Sequence, residues 1–172
     1  VDLGFFGMHI PVAWFNAVDS FSSIVCVPFL LALWRWQARH GGEPGEMAKI
    51  ATGAFLCAAG NLVLVLACSL SDRSPAIAPL LYEITQGVAF IYYWPTLLAL
   101  VSRAAPPNLQ ATMMGVVFMS LFIGNTLIGR LGGLYEQMTP ANFWLLHAGI
   151  GAMGGLLVLL LKRPIERLLI AS

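Results

Sequence analysis

Three side chains able to carry charge stand inside otherwise apolar runs: Asp19, Glu83 and His147. An ionised group in hydrocarbon is costly, so such a residue either serves a pathway or is satisfied by a neighbouring helix. Asp19 lies eight residues after Pro11, roughly 12 Å along a helix rising 1.5 Å per residue. Asn16, one turn earlier, and Ser20 extend it into a polar stripe. A carboxyl so placed fits a cavity that passes a proton or a substrate; it also fits a neutral, hydrogen-bonded packing group. Glu83, with Thr85 and Gln86 beside it, is near enough to the end of its run to snorkel to the interface. His147 is most simply a ring satisfied by a nearby carbonyl or hydroxyl.

Aromatic residues gather at Tyr92, Tyr93 and Trp94, just before Pro95. Proline removes a helical hydrogen bond and favours a kink. A kink beside aromatic rings suits a gating helix, and equally a bundle with no moving part. Nothing here supports an enzyme: the chain has no nucleophile elbow, no HExxH and no phosphate-binding loop, and His9 and His40 fall in loops without partner spacing. Cys26, Cys57 and Cys68 sit in apolar runs without metal-ligand spacing, as buried free thiols do. No cofactor or metal is expected.

The elements that position these groups follow from composition. Hydrophobic residues make up 59% of the 172 and charged residues 10%, against about 25% charged in a soluble domain. A net charge of +1 gives no electrostatic basis for binding nucleic acid. Five runs are long and apolar enough to cross a bilayer: residues 11–34, 50–70, 77–101, 111–131 and 143–161. They do not alternate as barrel strands must, so the expected fold is an all-α membrane bundle. Gly, Pro and Asn punctuate the connections, at 39–45, 71–75, around Pro106-Pro107-Asn108, and at 132–140. Small residues at Gly129–Gly133 and Gly151–Gly155, with Gly149, Ala152 and Gly154, mark faces for close helix packing.

Basic residues set the orientation. Arg35, Arg39, Lys49, Arg103, Lys162, Arg163 and Arg167 share one side, and Arg73 and Arg130 the other. Seven against two places the first side, and the C-terminus, in the cytoplasm. Trp14, Trp34, Trp36 and Trp144 stand near span ends, as interfacial rings do. The expected location is the plasma membrane, or the inner membrane of a bacterium. The chain opens on Val1, without a basic stretch leading into a short apolar core, and reads as a piece of a longer polypeptide.

The order of short motifs resembles the C-terminal part of the proton-dependent oligopeptide transporter family, within the major facilitator superfamily, over nearly the whole chain. Residues Ile10-Pro11-Val12-Ala13-Trp14-Phe15 and Pro28 are similar to the family's eighth helix, and Lys49-Ile50-Ala51-Thr52-Gly53 to the start of the ninth. Pro95 through Ser102, with Ala105-Pro106, resembles the tenth. Met113-Met114-Gly115, Gly124-Asn125 and Gly132-Gly133-Leu134-Tyr135 resemble the eleventh, and Phe143 with Leu145-Leu146 the twelfth. The resemblance implies the last five helices of a major facilitator fold, with the C-terminus in the cytoplasm. It also marks departures. Asp19 stands where the family usually has Asn, Phe90 where it has Glu, Trp94 where it has Ser, and Val117 where a Trp is common. The family's Glu is implicated in recognising a peptide's amino end and in proton coupling; Phe90 removes that partner, and Glu83 is two turns away.

Two functions follow. The first is part of a proton-coupled transporter of peptides or small solutes, with Asp19, Asn16, Glu83, Phe90, Tyr93 and Trp94 along the pathway. Its rings suit a bulkier apolar solute as well as a peptide. The second is an accessory or structural subunit that no longer transports. The expected partners are lipid, a missing N-terminal transporter half or other membrane subunits, and a peptide or small solute as cargo. The orientation is checked by impermeant thiol labelling of Arg73→Cys and Arg103→Cys: label from outside should reach position 73 and not 103, and the reverse would invert the topology.

Overall fold

A computed structural model describes residues 4–5, 8–9, 12–70 and 77–171, with side chains from residue 17 onward except at 166 and 168–171. Asn16 and Trp14 as side chains, and the connection at 71–75 with Arg73, lie outside the described residues. Five long helices carry the chain: α1 Val12–His40, α2 Glu46–Leu70, α3 Ile77–Ala104, α4 Gln110–Gly132 and α5 Pro140–Ala171. All five are long and apolar enough to span a membrane. A two-residue antiparallel pair, β1 Gly4–Phe5 and β2 Met8–His9, precedes them. A single 3₁₀ turn, Tyr135–Gln137, stands before α5.

The helices overrun the apolar runs because intrahelical hydrogen bonding continues into polar sequence until something stops it. α1 passes Arg39 and His40, and the amides of Gly41 and Gly42 then close back on the Gln37 carbonyl at 3.0 Å. Gly42 has φ +95°, a backbone state that a Cβ penalises, so glycine ends this helix. α5 runs through Pro164, and α1 and α3 contain Pro28 and Pro95.

Hydroxyl groups within the apolar helices are satisfied locally. Thr52, Ser69, Thr85 and Thr126 each donate to the carbonyl four residues back, at 2.7–2.9 Å. Hydrocarbon offers no water for them, so their own helix must accept the bond. Apolar side chains dominate the outer surface: Ile24 is 73% exposed and Phe122 68%, as lipid-facing residues are.

Packing is uneven. α2 lies between α3 and α5, and α1 packs on α3. α2 presents Ala51, Gly53, Ala58 and Gly60 as a buried small-residue strip. Gly151 and Gly155 meet that helix as expected: a Cβ on Gly151 would stand 3.3 Å from the Ala58 nitrogen, and one on Gly155 2.9 Å from the Phe55 ring. Gly129–Gly133 is different. Gly129 has open space around it and Gly133 meets only its own helix end. That face of α4 has no partner among the described residues, and Val117 is the one buried residue of α4.

The tightest contact joins α1 to α3. A Cβ on Gly87 would fall 2.6 Å from the Asp19 carbonyl oxygen and 3.0 Å from Ser23 Oγ. Backbone cannot yield as a side-chain tip does, so Gly87→Ala should destabilise the bundle by about 1–3 kcal/mol. Gly115, with nothing within 4 Å, should gain about 0.4–1 kcal/mol as Ala. Denaturant unfolding of both variants in detergent measures the contrast.

Candidate functional site

Asp19 is set by the α1–α3 contact. Ser23 Oγ donates to the Gly87 carbonyl at 3.1 Å, and Ser22 Oγ donates to the Asp19 carbonyl at 2.8 Å. Small side chains on α1 and a glycine on α3 let the two backbones approach. The approach draws the Asp19 carboxyl into the seam, where Oδ1 is buried and has no hydrogen-bond partner among the described residues. An unpaired buried acceptor costs about 1–3 kcal/mol, more when charged. Of the two readings of Asp19, a carboxyl hydrogen-bonded for packing finds no donor at that oxygen.

Glu83 faces the same seam. It stands one turn before Gly87 on α3. Tyr82 beside it packs on the Trp144 ring of α5 at 5.6 Å. Gln86 Nε2 donates to the Cys57 carbonyl on α2 at 3.3 Å. Asn61, 4% exposed, donates to that same carbonyl at 2.8 Å and leaves its Oδ1 buried and unpaired. Polar groups therefore cross the bundle from α1 through α3 to α2.

The aromatic residues form a connected wall. Phe90 meets Tyr93 edge-on at 5.7 Å and stacks on Trp94 at 6.3 Å. Trp94 meets Phe118 of α4 at 5.7 Å, joining two helices that otherwise touch little. Tyr93 lies against α2, where a Cβ on Gly53 would fall 3.0 Å from Tyr93 Cβ. Phe90, Tyr93 and Trp94 are thus brought together on α3, while Asp19 meets that helix earlier along its length, at Gly87. His147 stands apart, bonded to the Phe143 carbonyl at 2.9 Å and packed on the Phe143 and Trp144 rings. Cys26 and Cys57 are free thiols.

Sequence reasoning missed Ser22, Ser23, Gly87 and Asn61. A search for ionisable groups passes over them; a glycine facing a serine-bearing helix was the available signal. It also missed a second charged cluster. Lys49, only 8% exposed, pairs with Glu43 and sits 4.0 Å above the Trp34 ring, while Arg103 pairs with Glu46. Trp34 is therefore not only an interfacial anchor: it packs between Lys49 and Tyr92. The desolvated ammonium is held by a carboxylate and a π face.

The sequence profile of the POT family matches residues 1–145. The chain belongs to the POT family. Among curated relatives, a di-/tripeptide transporter of Lactococcus lactis subsp. cremoris is 22% identical over 167 residues, covering 95% of this chain and 33% of that protein. Peptide transporter YePEPT of Yersinia enterocolitica is 26% identical over 174 residues, with 95% and 34% covered. A crystal structure of a peptide transporter POT with sulfate superposes with a TM-score of 0.87 at 20% identity, over 98% of this chain and 34% of that one. A mutant peptide transporter POT with alafosfalin superposes at 0.83 and 21% identity. The chain is thus a multi-pass membrane protein of a transporter family, and it spans about a third of the length of these relatives. Its five helices have the fold of the matching third of a POT transporter.

Because Trp94 and Phe118 carry much of the thin α3–α4 contact, Trp94→Ala should loosen α4. An aromatic pair adds about 0.5–1.5 kcal/mol beyond burial, so amide hydrogen exchange in α4 should rise about threefold to tenfold with α2 unchanged. Hydrogen–deuterium exchange by mass spectrometry reads both helices together.

Proposed function

We propose that the chain is a piece of the C-terminal bundle of a proton-coupled transporter for peptides or small solutes, with its C-terminus in the cytoplasm. The single observation that carries this reading is Asp19 Oδ1, buried in the α1–α3 seam without a hydrogen-bond partner among the described residues, in a chain from a transporter family. Asp19 and Glu83 offer the titratable groups, and Phe90, Tyr93 and Trp94 offer an apolar wall for the solute beside them. Asn16 extends the pathway along α1. Alternating access requires a second bundle rocking about a shared midplane site. These five helices therefore act with other helices, an N-terminal transporter half above all.

A second reading has one observation in its favour: most of α4 lacks a partner among the described residues, and Phe122, Phe118 and Met119 stand exposed on it. An accessory subunit would use that face to hold other membrane subunits without transporting.

Uptake by proteoliposomes separates the two. The 172 residues alone should give no proton-driven uptake of peptides. Joined to an N-terminal bundle, they should accumulate solute only while a proton gradient is present, and Asp19→Asn should change the pH dependence and lower uptake about tenfold. That factor corresponds to roughly one hydrogen bond to a charged group. Accumulation by the lone chain, or an Asp19→Asn variant with the unaltered rate and pH profile, would overturn the reading.

A further inference from the structure

The C-terminal end of α1 is attached to the bundle by very little. Of residues 31–40, all but Trp34 and Gln37 are exposed. Upstream the helix is held firmly: Ser23 Oγ donates to the Gly87 carbonyl at 3.1 Å, and Leu30 is buried. Between these two anchors lies Pro28, which has no N–H to give the carbonyl four residues back. A helix bends most readily where such a bond is missing. The last ten residues of α1 therefore form an arm beyond a weak point, with Leu30 close to the pivot.

One stack holds the arm. Lys49 Nζ of α2 stands 4.0 Å from the centre of the Trp34 ring, and Trp34 meets Tyr92 of α3 edge-on at 5.5 Å. The Lys49 side chain is 10% exposed, whereas Glu43, its carboxylate partner in the α1–α2 connection, is 43% exposed. Among the described residues that connection is fixed at its two ends alone. The amides of Gly41 and Gly42 close on the Gln37 carbonyl, and Glu43 closes on Lys49. Gly41 and Gly42 have nothing within 4 Å of an added Cβ, and Pro44 has no amide to donate.

Two polar atoms oppose the stack. Trp34 Nε1 and Gln37 Oε1 are buried without a partner among the described residues. They belong to side chains one turn apart on the same face of α1. Docking the arm strands both; release returns them to surroundings that can bond them. A cation–π contact and an ion pair thus work against two unpaired polar atoms, which leaves docked and released arms close in free energy. We propose that residues 31–40 of α1 are a hinged arm that docks on and releases from α2 and α3, pivoting at Pro28, with Lys49 as its latch and Glu43 as the strap that keeps the latch shut. When Glu43 swings into water, the Lys49 ammonium is left buried without its counter-charge. It then withdraws from Trp34, and the arm is freed. This device does not depend on the transport reading.

Double electron–electron resonance on the chain in lipid nanodiscs tests it. Nitroxides are placed on introduced cysteines, with Cys26, Cys57 and Cys68 replaced by Ala. A label pair at Ala38 and Leu156 reports the arm, and a pair at Leu70 and Leu156 reports α2 against α5; all three positions are exposed. Lys49→Ala and Glu43→Gln should each raise the ratio of released to docked arm about tenfold, the worth of a partly desolvated cation–π contact. A second, displaced arm distance would show it. Lys49→Arg, which can both stack and pair, should keep the native distribution. Gln37→Leu removes an unpaired buried atom and should shift the arm toward docked. Pro28→Ala restores the missing helical bond and should lessen the released population of Glu43→Gln. The 70–156 distance should stay fixed throughout. An arm distance that either Lys49→Ala or Glu43→Gln leaves unchanged would overturn the proposal, because docking would not depend on the latch. A 70–156 distance that broadens together with it would also overturn it, because the loosening would then be global.

Discussion

Everything of functional interest in this bundle depends on how near α1 comes to α3. Gly87 lacks a side chain, Ser22 and Ser23 are small, and the two backbones close until a serine hydroxyl reaches across to a glycine carbonyl. In lipid there is no hydrophobic drive between helices, so dispersion and a few hydrogen bonds hold such a contact. Small residues increase both by shortening the distance. The same closeness takes Asp19 Oδ1 away from lipid. A side chain at position 87 would separate the helices and undo that burial.

The second constraint is the cost of unsatisfied polar groups in hydrocarbon. Most of the chain obeys it simply, since hydroxyls bond their own helix and Lys49 is enclosed by a carboxylate and an indole ring. Asp19 and Asn61 do not obey it within the described residues. Trp34 Nε1 and Gln37 Oε1 are likewise buried without a partner there, so unpaired polar atoms stand along α1 as well as on α2. The exposed face of α4 is a different matter, a lipid-like surface that another helix would cover.

How much of this was legible without coordinates divides along physical lines. The five helices could be read because hydropathy and loop punctuation are local properties. Their ends could not, because intrahelical bonding carries α1 to His40 and α5 to Ala171 regardless of polarity. Asp19 and Glu83 could each be read as ionisable groups in apolar runs, and the motif order pointed to the POT family. The approach of Asp19 to Gly87 could not be read, since it depends on the register between two helices separated by a third in the chain. Small-residue spacing succeeded at Gly151 and Gly155 and found no partner at Gly129, because the motif reports a surface fit for packing and not what packs there. Lys49 counted as a loop-side cation for topology, and its burial on Trp34 was outside that logic.

The central claim, that the polar side of α1 faces α3 and not lipid, is tested most directly by site-directed spin labelling. Nitroxides at positions 19, 21, 22 and 24 in a bilayer report collision with oxygen, which concentrates in hydrocarbon. Phe21 and Ile24 are 68% and 73% exposed and Ser22 is 6% exposed. Labels at 21 and 24 should therefore collide freely with oxygen, and labels at 19 and 22 should be shielded. Equal oxygen accessibility at all four positions would contradict the account, because α1 would then be free of α3 and Asp19 would have no protected site.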